Sequence, residues 1–222
     1  MVFRASTLTS VVALAALLQP AATVALQPSL DRRGIEQAIV IGQSSIDNER
    51  ARFHEAYRVP VGVSPLDALE VVTPFRQVVI AAEQNARRRG PLFGQRDALL
   101  ALGAGPDRVD VVVELTFSPL NVLLGVPDYT VEVREAGGVA PVALLSLEAV
   151  PRNTVRVRVP AQPYPAPPAP GTGVGGGGTL LGATLIVGIA TSTLRPDGRY
   201  ELRLLEGATE LARAEFDLAG MR

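Results

Sequence analysis

The chain has 222 residues, a formal net charge of -1 and 47% hydrophobic side chains. That hydrophobic content can bury a real core and excludes global disorder, and the near-neutral balance gives no electrostatic reason to expect nucleic acid as a partner. There is no cysteine, which excludes disulfides, thiolate catalysis and cysteine metal sites, and all 21 basic residues are arginine.

The N-terminus opens Met1-Val2-Phe3-Arg4 and continues into a mostly apolar run, densest over residues 11–18. Pro20 and the small residues Ala21, Ala22, Thr23, Val24 and Ala25 follow. A basic start, a short apolar stretch and a small-x-small end predict a secretory signal peptide over residues 1–25, cut after Ala25 or alternatively after Ala22. The other reading is an uncleaved anchor, but the continuous apolar part is short for a spanning helix and Pro20 interrupts it. A lipid-anchored form has no cysteine to carry the lipid. Removing Arg4 with the signal leaves 20 Arg against 22 acidic residues, a net of -2.

Residues 26–106 are predicted to be helical. Ile35, Ile39, Ile46, Phe53 and Tyr57 recur on one helical face, with Ser29 or Asp31 as cap and Arg58-Val59-Pro60 as stop. Gly42 falls on that stripe and would admit a close neighbour. Ser64-Pro65, with Asp67 three residues after the serine, reads as a second helix start. Thr73-Pro74 repeats the signal and opens a helix carrying Phe75, Val78, Val79 and Ala82, closed by Gly90. Arg87, Arg88 and Arg89 fill its last turn, where cations suit the helix dipole. They are also candidate partner contacts, as an anionic or membrane-surface patch. A further short helix is expected over residues 95–102, stopped by Gly103-Ala104-Gly105-Pro106.

At Arg108 the period changes from 3.6 to 2. Val109, Val111, Val113, Leu115 and Phe117 alternate with polar positions, the mark of a strand with one buried face. Ser118-Pro119 ends it. Further strands are expected at residues 129–133, at 142–149, at Val155, Val157 and Val159, in one or two pieces over 180–193, and in a last pair over 199–205 and 210–218. This is roughly seven strands in residues 107–222, the size of an immunoglobulin-like antiparallel β-sandwich. Residues 160–178 interrupt it as a Pro-rich then Gly-rich loop, whose Tyr164 is a candidate partner contact.

Leu194-Arg195-Pro196-Asp197-Gly198-Arg199-Tyr200, followed by Leu202 and Leu204, resembles the tyrosine corner of fibronectin type III and related domains. The resemblance implies that the Tyr200 hydroxyl bonds back to the chain beside Leu194 and Pro196. More loosely, a helical part followed by Val-rich strands resembles exported bacterial proteins that end in such a sandwich. No ligand travels with either resemblance.

His54 is the only histidine, beside Glu55 and near Asp47 and Glu49. A zinc-protease helix needs two histidines, and no Gly-x-Ser-x-Gly elbow accompanies it, so His54 reads as a polar helix flank. No catalytic, cofactor-binding or metal-ligating residue emerges. The expectation is an α+β protein acting without cofactor as a non-catalytic interaction or structural module of the cell envelope. It would be periplasmic or extracellular, its partner another envelope or secreted protein, with no membrane span after cleavage. The alternative is a secreted hydrolase built on paired carboxylates, for example acting on glycans.

Overall fold

A computed structural model describes residue 26 and residues 30–103, 107–153 and 179–221. The expected signal peptide, the strand at Val155 to Val159, the Pro/Gly loop and Tyr164 lie outside the described residues. The elements in chain order are α1 (Arg32–Gly42), α2 (Asp47–Glu55), β1 (Arg58–Val63), β2 (Leu66–Val72), α3 (Pro74–Arg87) and α4 (Gln95–Leu102). They continue as β3 (Arg108–Thr116), β4 (Tyr129–Glu135), β5 (Leu144–Asn153), β6 (Leu180–Ala190), β7 (Arg199–Glu206) and β8 (Thr209–Asp217). The protein is α+β, with four helices and eight strands among the described residues.

All strand pairs are antiparallel. One sheet runs β1-β2-β3-β6-β5 and the other β4-β7-β8. The two-residue rhythm decides which side chains meet. Val109, Val111, Val113 and Leu115 of β3, and Leu185, Val187 and Ile189 of β6, are buried in one cluster with Val131, Val133, Leu202, Leu204 and Phe216 of the other sheet. A second, smaller cluster joins Ile35 and Ala38 of α1, Phe75, Val78 and Val79 of α3, and Ala98 and Leu102 of α4. Phe53 of α2 packs against both clusters and so ties helices to sheets.

Three sequence expectations change. The single helix through Ile35 and Tyr57 is two helices. After Gly42 the Ser44 hydroxyl accepts from Ile46 N at 3.2 Å and donates to Glu49 at 3.2 Å. Serine thus offers the backbone an alternative to the helix ladder, and Ile46 is exposed instead of on the buried stripe. Ser64-Pro65 does not start a helix. It forms the turn of the β1–β2 hairpin, and β2 pairs along β3 from Leu66–Leu115 to Val72–Asp110. The alternation of Leu69 and Val71 toward the core, paired to β3, overrides the capping signal. Residues 26–106 are therefore not all helical, and the described strand count is eight. Two of those strands come from the region read as helices.

Gly42 behaves as its position on the stripe implies. A Cβ there would lie 2.5 Å from Val79 O and 2.7 Å from Ala82 Cβ, so its hydrogen lets α1 approach α3. Thr73 caps α3, its hydroxyl accepting from Arg76 N at 3.2 Å, and Pro74 occupies the first turn. The 180–193 run is one strand followed by a 3-10 turn over Thr191–Thr193.

Candidate functional site

The histidine read as a helix flank sits in a chain of alternating charges. Glu114 of β3 accepts from Arg58 at 2.8 Å, and Arg58 also reaches Glu70 at 3.1 Å. Glu70 binds Arg76 at 3.1 Å, and Arg76 Nε points at His54 Nδ1 at 3.5 Å. His54 Nε2 then meets Glu83 at 2.9 Å, and Glu83 also faces Arg50 at 3.2 Å and Arg87 at 2.6 Å. Arg76 is only 3% exposed. Its guanidinium is satisfied by Val71 O at 2.8 Å and lies 5.1 Å above the Tyr57 ring centroid. Arg50 additionally donates to Ser44 O and Asp47.

This arrangement fixes the imidazole. With Arg76 donating to Nδ1, the proton of a neutral ring sits on Nε2 and is given to Glu83. Both ring nitrogens have partners, which leaves neither for a substrate in this geometry. Burial pushes the Glu83 carboxyl up, but hydrogen bonds and charge from His54 and Arg87 outweigh it and hold the group below the ordinary glutamate value. The same balance raises Arg58: burial lowers it, while Glu114 and Glu70 more than compensate. A depression of about 500 Å³ lies over Asp47, Arg50, His54, Glu83 and Arg87. The chemistry available here is clamping: a run of ion pairs holds α2 and α3 onto β1–β3. Among the described residues no group of three or more His, Asp and Glu is arranged to hold a metal ion.

At Tyr200 the hydroxyl accepts from Arg195 N at 2.6 Å. Tyr200 and Leu194 are buried, and Tyr200 stacks against Phe216 with centroids 5.7 Å apart. Burial first, and the nearby Glu135 and Asp197 charges in addition, raise its pKa above the ordinary phenol value despite the Arg195 bond. Pro196 sits on the exposed turn next to this bond.

The feature not anticipated from sequence is the loop between β3 and β4. Leu120 is 89% and Val122 90% exposed, and Leu124 is fully exposed. Asn121 holds the loop from inside: its side-chain nitrogen donates to Leu180 O at 2.8 Å and its oxygen accepts from Leu123 N at 3.0 Å. Ser118 adds a bond from Leu120 N at 3.3 Å. With Asn121 and Ser118 engaged in these bonds, Leu120, Val122 and Leu124 are left facing outward. The signal in the sequence was an apolar run, Leu120-Asn121-Val122-Leu123-Leu124, directly after the strand stop Ser118-Pro119. It lacks both the helical and the strand period and therefore had no place in an element.

Of the arginine candidates, Arg87 is engaged by Glu83, while Arg88 and Arg89 are exposed. No described helix is long and apolar enough to cross a membrane. Compared with known proteins, the chain matches no family model, no curated protein sequence and no solved structure.

Proposed function

We propose that the protein is an exported, non-catalytic interaction module of the cell envelope, built on an immunoglobulin-like sandwich and gripping a protein partner with the β3–β4 loop. The fold part of this reading is supported by strand order. β2-β3-β6-β5 facing β4-β7-β8 corresponds to the A-B-E-D and C-F-G sheets of constant-type immunoglobulin domains, with β1 added outside the first strand. Tyr200, second residue of the strand in the F position, bonds back to Arg195 as a tyrosine corner does. In that scheme the β3–β4 and β7–β8 connections share one end of the sandwich, where sandwich domains commonly carry binding loops.

The observation that carries the functional reading is the apolar tip at Leu120, Val122 and Leu124. Exposed leucine and valine held outward by internal hydrogen bonds gain nothing for folding and supply buried area when a partner closes over them. The test is affinity purification of the tagged protein from its own envelope fraction, beside a variant carrying Leu120→Ser, Val122→Ser and Leu124→Ser. A partner recovered with the native chain and lost with the variant supports the reading. Identical recovery from both, or turnover of a screened glycan or ester by the purified protein, contradicts it.

A further inference from the structure

The turn joining α3 to α4 carries a second exposed surface of different chemistry. Arg88, Arg89 and Arg96 are exposed and form no ion pair with a described residue. The one acid among residues 88–97, Asp97, accepts from Gly94 N at 2.8 Å and caps α4. Leu92, between Arg89 and Arg96, is 90% exposed, and after Arg96 Leu100 is 70% exposed, with Leu99 also exposed. Arg96, Leu99 and Leu100 are spaced i, i+3 and i+4, so they share one helix face, while Ala98 and Leu102 face the core. We propose that this turn docks onto an anionic lipid bilayer, the leucines entering the headgroup boundary and the guanidinium groups binding lipid phosphates.

The surface is built rather than incidental. Asn85 donates to Pro91 O at 2.7 Å, Gly90 N donates to Asn85 O at 2.9 Å, and Gln43 of α1 donates to Phe93 O at 3.2 Å. A Cβ at Gly90 would lie 2.2 Å from the Asn85 side-chain oxygen, so a side chain there would displace the Asn85 amide from its bond to Pro91 O. Arg89 adopts φ 52°, a left-handed backbone that costs energy for a non-glycine residue and is held by the same turn. Phe93 packs inward against the helical core, and Leu92 beside it is thereby left outside.

Charge chooses the occupant. Exposed leucines interspersed along the turn with unpaired arginines match a surface that is apolar below and anionic at its rim, as a bilayer of acidic lipids is. Because the whole chain carries a formal charge of -1, the attraction is local to this turn. Its position is compatible with the partner-binding end. Val72, which leads into α3, pairs with Asp110, whereas the β3–β4 loop leaves β3 beyond Thr116. The helical segment that carries this turn and the apolar tip thus join β3 at opposite ends.

The experiment is co-sedimentation of the exported full-length product with vesicles of phosphatidylcholine alone and of phosphatidylcholine mixed with phosphatidylglycerol. Partition is expected onto the mixed vesicles, falling as salt is raised. A variant with Arg88→Gln, Arg89→Gln and Arg96→Gln is expected to bind about a hundredfold more weakly. All forms carry the same N-terminus, so the difference reports this turn alone. The chain contains no tryptophan, which makes Leu92→Trp a single reporter in an otherwise native protein. Its emission is expected to shift to the blue with mixed vesicles only. Equal binding to both vesicle types, binding to neither, an unaffected arginine variant, or an unshifted tryptophan overturns the proposal, and binding to neither leaves the leucines to a protein partner.

Discussion

His54 and Glu83, 29 residues apart in sequence, meet with Nε2 2.9 Å from the carboxylate. This contact joins the run of polar contacts that starts at Glu114 on the sheet to the Glu83 cluster with Arg50 and Arg87 on the helices. It explains how short helices with a small core of their own stay fixed to the strands. Because Glu83 receives three partners, it is the residue whose loss exposes the most.

Removing that carboxylate leaves His54 and Arg50 without their common acceptor in a mostly buried setting. Glu83→Ala is expected to destabilise by about 3 kcal/mol. Glu83→Gln, which keeps the shape and part of the hydrogen bonding, is expected to cost less. Urea denaturation followed by circular dichroism measures both, and a Glu83→Ala midpoint equal to the native one contradicts the clamp.

Acid tests the same contact with a defined sign. The Glu83 carboxyl is held below its ordinary value, so near that value the unfolded state binds the proton more readily than the folded state. Its contribution is complete above the ordinary glutamate range, near pH 4.3, and fades as pH falls through the lowered folded value. The stability gap between the native chain and Glu83→Gln is therefore expected to shrink as pH falls below about 4. A gap that widens on acidification contradicts the assignment.

Tyr200→Phe removes the acceptor of Arg195 N and nothing else of the ring packing. The expected loss is about 1–3 kcal/mol, the cost of a poorly satisfied polar group at a bend. Thermal unfolding of the two proteins gives the number, and an unchanged midpoint removes this bond from the account of the fold.

Gly42→Ala tests the close approach of α1 to α3. A methyl group 2.5 Å from Val79 O forces the helices apart, and overpacking of this kind costs about 1–3 kcal/mol. Alanine is the better helix former, so a stabilised variant in denaturant titration contradicts the packing.

How much of this was readable in the sequence depends on the range of the forces involved. β3 was legible residue by residue, because Val109, Val111, Val113 and Leu115 alternate and all four are buried. The Thr73-Pro74 start of α3 and the Tyr200 bond were legible because both are local, the latter spanning five residues. The β1–β2 hairpin was not. Ser64-Pro65-x-Asp67 carries the same letters whether it caps a helix or turns a hairpin, and pairing with β3 more than 40 residues away decides. His54 looked like a lone polar residue because Arg76 and Glu83 reach it only after α3 folds back. The apolar loop at Leu120–Leu124 was invisible for the opposite reason: its order comes from Asn121 binding Leu180 O, 59 residues away.

The functional account rests on the outward-facing side chains of that loop. The most direct measurement is photo-crosslinking in intact cells from a benzophenone amino acid placed at Val122, compared with one at exposed Glu215 on β8. A single protein adduct formed from position 122 and absent from position 215 is the predicted result. No adduct at 122, or the same products from both positions, would contradict the assignment of this loop as the partner contact.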